Sequence, residues 1–280
     1  MNFLLVGYAY SDGDVAVDPS APLEDGKVTL HAPLVAYARS LDMWGKSGKV
    51  AALLPYACAD GSALVAGQPA QRDICGFADP RLRVTINLYG APALSLEEFP
   101  AYRQDLIIGA TLQVSAPVGH YDSNKLLNIG TNRWSVRPEV GVSKALGPVT
   151  LELAGSATYY SDNDNYFGGQ KREQDPLYSL QGHLIYSFSR GVWGAIDGTY
   201  FWGGRTTTDG IKRDDSQRNT RIGATLALPV NRYNSVKLFA STGVATRTGG
   251  DYHTIGAVWQ FRWGGAHRPV AAELGVYPPR

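Results

Sequence analysis

The chain lacks most of the features that mark common protein classes. Its longest apolar runs, such as Ala32 to Ala38, fall far short of the roughly 20 residues a helical membrane span needs. That excludes a transmembrane helix. Charged residues make up 18% and the formal net charge is +1, so no basic field points to nucleic acid. Enzyme signatures are missing from the sequence: there is no G-x-S-x-G, H-E-x-x-H, phosphate loop or C-x-x-C. The five histidines are scattered, and no pair has helical metal-ligand spacing. Nothing here calls for a catalytic role, a cofactor or a bound metal.

What is abundant points to strands. The chain carries 32 Gly, 16 Tyr, 8 Phe and 6 Trp. Glycine lowers helix stability, whereas aromatic and β-branched residues suit a pleated surface. Mean hydropathy is −0.18, a value that a soluble protein and a membrane barrel with a polar lumen share. The pattern along the chain must decide between them.

Strand side chains alternate between two faces. From Leu106 the even positions read Leu106, Ile108, Ala110, Leu112 and Val114, against Ile107, Gly109, Thr111, Gln113 and Ser115. Leu82, Val84, Ile86 and Leu88 oppose Arg81, Arg83, Thr85 and Asn87. Trp134, Val136, Val140 and Val142 oppose Arg133, Arg137, Glu139 and Gly141, and Leu151 and Leu153 flank Glu152. The same split sets Leu180 and Leu184 against His183, Ile222 and Leu226 against Arg221, and Val236 and Leu238 against Lys237.

A soluble sandwich also alternates. Here the strand candidates run roughly 9 to 14 residues, the length of a tilted membrane span rather than the ~5–6 of soluble strands. Aromatics gather at the ends of apolar faces, at Tyr159, Tyr186, Phe188, Tyr200, Trp202, Trp259, Phe261 and Trp263, as interfacial girdles do. Connections alternate in length: long near 11–26, 58–78, 118–131, 161–176 and 204–216, short near 41–47, 145–148, 189–191 and 230–234. Long external loops and short periplasmic turns produce that rhythm. The segment near 90–101 is the exception, and Leu94 to Phe99 reads as a short helical turn. The expected fold is an all-β antiparallel transmembrane barrel of about twelve strands over residues 1–264, followed by a tail over 265–280 that Pro269, Pro278 and Pro279 make poor strand material. The start, with Phe3 to Tyr10 apolar at once, shows no signal-peptide pattern. An exported chain needs one, so this start is expected to be processed or internal to the natural sequence.

The run Pro117-Val118-Gly119-His120-Tyr121-Asp122, with Asn128-Ile129-Gly130-Thr131-Asn132-Arg133-Trp134-Ser135 and Pro138-Glu139, resembles the outer-membrane transporters grouped as the meta-pathway phenol-degradation family. Phe3 to Tyr8 and Leu226-Ala227-Leu228-Pro229-Val230 look like it too. The likeness covers roughly residues 2 to 264. It implies a Gram-negative outer-membrane barrel associated with catabolism of aromatic or other apolar compounds, and it supplies no catalytic or binding residues. The final strand, ending Trp259-Gln260-Phe261-Arg262-Trp263, resembles the signal read by the barrel assembly machinery. The partners implied are outer-membrane lipid, that machinery during insertion, and a small solute.

Candidate lumen residues are Arg81, Arg83, Arg133, Arg137, Glu139, Glu152, His183, Asp197, Arg221, Lys237 and Arg262. They can serve as an ion-pair ladder closing a narrow barrel or as an eyelet with a basic bias that selects anions. Asp197 and Arg221 lie on successive strand candidates, where a cross-strand pair is expected. His183 is read as a polar lining residue. Cys58 and Cys75 bracket one long external loop, and export favours a disulfide between them. The loop Asp162-Asn163-Asp164-Asn165 has the oxygen density of a calcium loop but lacks the bidentate Glu, so a solvated turn is the ordinary explanation. Two functions stay open: a passive channel for small solutes, and a structural or partner-binding barrel with a plugged lumen.

Overall fold

The structure is a computed structural model that describes residues 1–14, 24–65, 68–94, 98, 101–189, 191–249 and 251–264. In chain order the strands are β1 (Asn2–Asp14), β2 (Glu24–Met43), β3 (Lys46–Val65), β4 (Gln68–Phe77), β5 (Arg81–Tyr89) and β6 (Leu106–Ser115). There follow β7 (Ser135–Leu146), β8 (Val149–Tyr160), β9 (Asn163–Tyr166), β10 (Gln170–Gln174), β11 (Leu177–Ser189) and β12 (Val192–Gly203). The last are β13 (Thr206–Thr208), β14 (Ile211–Lys212), β15 (Gln217–Pro229), β16 (Asn234–Ala245) and β17 (Asp251–Trp263).

Twelve of these close into an antiparallel barrel in the order β1, β2, β3, β5, β6, β7, β8, β11, β12, β15, β16, β17, with β17 returning to β1. Closure leaves no unpaired edge, which a lipid environment demands of any sheet that spans it. The twelve strands, the antiparallel order and the long/short alternation of connections follow the sequence reading.

The alternation sets the faces. Val140 is 60% exposed and Leu82 51%, on the same outward side as Val6, Val35, Leu54, Leu112, Leu153, Ile196 and Leu226, all exposed. In a soluble protein such a surface would be a large unburied patch; around a barrel it is the lipid-contacting band. Aromatics cap this band at both ends. Tyr178, Trp202 and Tyr200 stack in a row at the long-loop end, with ring centroids 5.6 Å apart. Trp259, Phe261 and Trp263 stack at the other end, at 6.1 and 5.5 Å, where Tyr186 meets Phe188 edge-on at 4.9 Å. Tyr159 is half-exposed at the external end of β8. On β11, Tyr178 and Tyr186 are separated by roughly 27 Å along the strand at ~3.4 Å per residue, which a ~40° tilt reduces to about 20 Å of height.

Short turns have local causes. Between Met43 and Lys46, both Trp44 (φ 57°) and Gly45 (φ 79°) adopt left-handed backbone, the geometry a two-residue hairpin needs to match strand twist. The Gly45 N–H donates to Asp42 Oδ1 at 2.7 Å. The exceptional connection after β5 pairs with this turn, for Pro92 bridges Lys46 and the Ala93 N–H donates to the Gly45 carbonyl. The helical turn expected over 94–99 falls largely outside the described residues, as does the 265–280 tail.

Three external segments expected as loops are instead built of strands. Residues 58–65 form the upper part of β3 and residues 68–77 form β4, and these paired strands stand above the barrel beside the outer half of β2. Segments 161–176 and 204–216 fold together as a small four-stranded sheet, β14-β13-β10-β9. The hydrophobic core also lies at this end. Val28, Ala57, Ala59, Ile74 and Ile129 are buried together, with Leu30, Ala78, Leu127 and Tyr252 packed against them. Ile129 and Leu127 come from the connection between β6 and β7, which leans onto the inner face of the raised β2–β4 wall.

Candidate functional site

The inner wall carries a connected belt of polar groups. Arg83 on β5 reaches past β6 to Glu139 on β7 at 2.8 Å, and Arg137 binds the other oxygen of the same carboxylate at 2.9 Å. Arg137 Nε donates to the Ser156 hydroxyl on β8 at 2.9 Å, and Ser156 meets Ser179 on β11 at 2.7 Å. Register explains the chain: Arg83 pairs with Gln113, Gln113 with Arg137, and Glu139 with Ser156. All share the inward parity.

A second group continues around the wall. His183 on β11 lies opposite Asp197 on β12, with Nδ1 2.5 Å from Oδ1. The second carboxylate oxygen of Asp197 accepts from the Thr225 hydroxyl at 3.3 Å. Glu152 accepts from the Ser143 hydroxyl at 2.9 Å. The expected Asp197–Arg221 pair does not form. Asp197 stands opposite Gly223, two residues along β15 from Arg221. Arg221 instead donates to Ser241 Oγ at 3.1 Å and stacks its guanidinium 3.7 Å above the Tyr252 ring.

Lys49 on β3 is a lumen residue that the sequence reading missed. It stands within electrostatic range of both Arg83 on β5 and Lys237 on β16, although β2, β1 and β17 separate β3 from β16 along the wall. Alternation with Val50, Ala52 and Leu54 would have marked it. Lys237 Nζ sits 5.4 Å from the Trp193 ring centre. Arg81 lies within range of Arg137 and Asp79.

Two expected lining residues sit elsewhere. Arg133 precedes β7, buried at 6% exposure with its guanidinium 4.3 Å from the Tyr160 ring centre. Arg262 is at the short-turn rim, where its Nε donates to the Arg232 carbonyl at 2.8 Å. The opposite sector of the inner wall is apolar: Leu5, Leu34, Leu53 and Val258 occupy inward positions on β1, β2, β3 and β17. Between them, Gly7 leaves room for the side chains of Leu34 and Val258, within 3.0–3.3 Å of where its Cβ would stand.

The external layer is held by its own hydrogen bonds. Gly119 and Gly130 approach so closely that a Cβ on either would lie under 3.0 Å from the other's backbone. Asn128 Nδ2 donates to the carbonyls of Asp122 and Lys125. Asn163, 2% exposed, donates to the Tyr121 hydroxyl and the Thr131 carbonyl and accepts from Asn132. The calcium-like loop thus spends its Asn163 amide on neighbouring loops, while Asp162 pairs with Lys171 at 2.7 Å. Among the described residues no three His, Cys, Asp or Glu side chains gather as metal ligands. Cys58 and Cys75 stand directly opposite each other on β3 and β4 and are joined by a disulfide. The 117–135 motif is therefore the framework of a folded connection.

The family described as "Putative MetA-pathway of phenol degradation" matches residues 10–263. The chain belongs to this family. Its fold is also that of solved outer-membrane proteins. The COG4313 outer membrane channel from Pseudomonas putida F1 superposes with a TM-score of 0.76 at 24% identity, over 93% of this chain and 94% of that one. The transport unit of the autotransporter AIDA-I from Escherichia coli gives 0.54 at 10% identity, over 94% and 90%. The NanC porin gives 0.50 at 11%, over 93% and 100%. A comparison with curated proteins gave no match. With its closed barrel, lipid-facing apolar band and aromatic girdles, this family member is a bacterial outer-membrane β-barrel.

Proposed function

We propose that the barrel is a passive channel for small solutes, with a cationic stretch of inner wall that favours anions. The observation that carries this reading is the convergence of Lys49 and Arg83, on the neighbouring strands β3 and β5, with Lys237 on β16, three strands lying between β3 and β16 along the wall. Like charges brought together inside a low-dielectric wall raise the local concentration of anions. Along the wall between Lys49 and Lys237, the apolar positions Leu5, Leu34, Leu53 and Val258 supply a surface for the non-polar part of a solute. The likenesses named above, to an outer membrane channel and to a porin, support the channel reading, and the family description supports aromatic or other apolar catabolic compounds as solutes.

Planar-bilayer recordings test it. The wild-type barrel is expected to conduct, with a reversal potential in a salt gradient that reports anion preference. Reversing Arg83 and Arg137 to Glu moves that potential toward cation preference. Conductance with a reversal potential unmoved by the double reversal removes the cationic eyelet. No conductance at all would favour the second reading, a partner-binding barrel, which the hydrogen-bonded external layer with its β9–β10–β13–β14 sheet supports.

A further inference from the structure

A cleft of about 420 Å³ opens at the external end, between the β3–β4 hairpin and the connection from β6 to β7. Its apolar walls come from Val28 of β2, Leu126 and Leu127 of the connection, and Phe167 of the turn after β9. Arg72 of β4 and Lys125 also line it. The volume is in the range of small-molecule sites, which pair an apolar surround with a few placed polar groups.

Arg72 gives the cleft its polarity. Its Nη1 is closed off from solvent and has no hydrogen-bond partner among the described residues. A buried donor left unmade is costly, more so on a charged group. The nearby acids do not answer it. Asp73 also lines the cleft, but it follows Arg72 on β4, so alternation directs the two side chains to opposite faces of the strand, and it leaves Arg72 Nη1 without a partner among the described residues. Asp122 stands near both Arg72 and Lys125, but it does not line the cleft, and its Oδ1 accepts from the Asn124 N–H at 2.9 Å.

We propose that this cleft is a capture site for a small amphipathic carboxylate, its apolar body against Val28, Leu126, Leu127 and Phe167 and its carboxylate on Arg72. The planar guanidinium matches a carboxylate's two oxygens, and Lys125 adds a second positive charge. The cleft lies above the barrel mouth, so binding there concentrates solute where it enters. The proposal names the solute class of the channel and so rests on the channel reading.

Calorimetric titration of the purified, detergent-folded full chain tests it, with benzoate and hexanoate as probes and acetate and benzyl alcohol as comparisons. Two variants are used. Arg72→Gln removes the cation. Ala70→Trp, on the same face of β4 two residues away, fills the cleft. Folding of each is checked by heat-modifiable gel migration. Saturable benzoate and hexanoate binding, weakened at least tenfold by either folded variant and tenfold weaker for acetate and benzyl alcohol, is expected. Benzyl alcohol binding as tightly as benzoate, or benzoate binding indifferent to both variants, overturns the proposal. No saturable binding by a barrel that conducts in bilayers overturns the cleft alone; no binding and no conductance overturns the channel as well.

Discussion

Asp79 and Thr131, far apart in sequence, are joined by two hydrogen bonds: Asp79 Oδ2 accepts from the Thr131 N–H at 2.9 Å and from its hydroxyl at 2.6 Å. The other carboxylate oxygen accepts from the Gly119 N–H at 2.9 Å. Asp79 is 6% exposed, just before β5, so one buried carboxylate clamps both ends of the connection that leans over the barrel mouth. Asp79→Ala leaves three donors without their acceptor and is expected to destabilise that connection by roughly 2–4 kcal/mol. Limited proteolysis should show new cleavage within 119–131 while the barrel keeps its heat-modifiable migration. Unchanged protection would mean that the clamp is redundant.

Phe239 lies over Gly256, its cross-strand partner. A Cβ at position 256 would stand 2.3 Å from Phe239 Cζ and 2.7 Å from the Tyr8 carbonyl oxygen. Only glycine lets the ring lie flat on the inner wall there. Gly256→Ala should cost about 1–3 kcal/mol through overpacking, read as a lower urea midpoint for loss of the folded gel band. Phe239→Ala in the same background should recover part of that loss, because the clash is removed with the ring.

Reduction of the Cys58–Cys75 disulfide should loosen the external hairpin and spare the barrel. The sequence separation is 17, for which chain-entropy reasoning gives ~3 kcal/mol of stabilisation. β3 also pairs with β2 and with β5 independently of β4. Reductant should therefore raise protease cleavage within 59–74 while the folded band persists. Loss of the folded band would show that the bridge holds the whole barrel.

The external layer should tolerate a wide pH range. The Asn124 N–H held by Asp122 lowers that carboxyl below the usual aspartate range. A depressed carboxylate contributes stability above its unfolded value and loses it as pH falls through the folded one. Lys171, hydrogen-bonded to Asp162 and Glu173, is raised above the usual lysine range. Its contribution is complete below the ordinary lysine value and fades as pH rises through the raised one. Amide exchange in 121–128 and 162–173, corrected for intrinsic rates, should stay flat at neutral pH and accelerate only at those extremes. A transition near neutrality would contradict both assignments.

What the sequence determined by itself was the barrel wall. Period-two alternation is local, so Leu82 against Arg83 and Val140 against Glu139 declared their faces without any knowledge of partners. The membrane reading followed because the strand candidates have the length of a tilted span and their connections alternate between long and short, and aromatic ends such as Trp259 and Trp263 placed the interfaces. Which inward groups meet was decided by register. Asp197 took His183 and Thr225 rather than Arg221 because β12 and β15 pair two residues away from the expected alignment. Lys49 joined Arg83 and Lys237 because barrel closure brought β3 and β16 to face one lumen. The external layer was also decided in three dimensions. Residues 58–78 and 161–176 carry the polar, glycine-containing composition of loops, and their strands form only where a neighbouring edge accepts their hydrogen bonds. Alternation belongs to each strand alone, whereas register and loop docking come from contacts between residues distant in the chain, and only closure of the barrel brings those residues together.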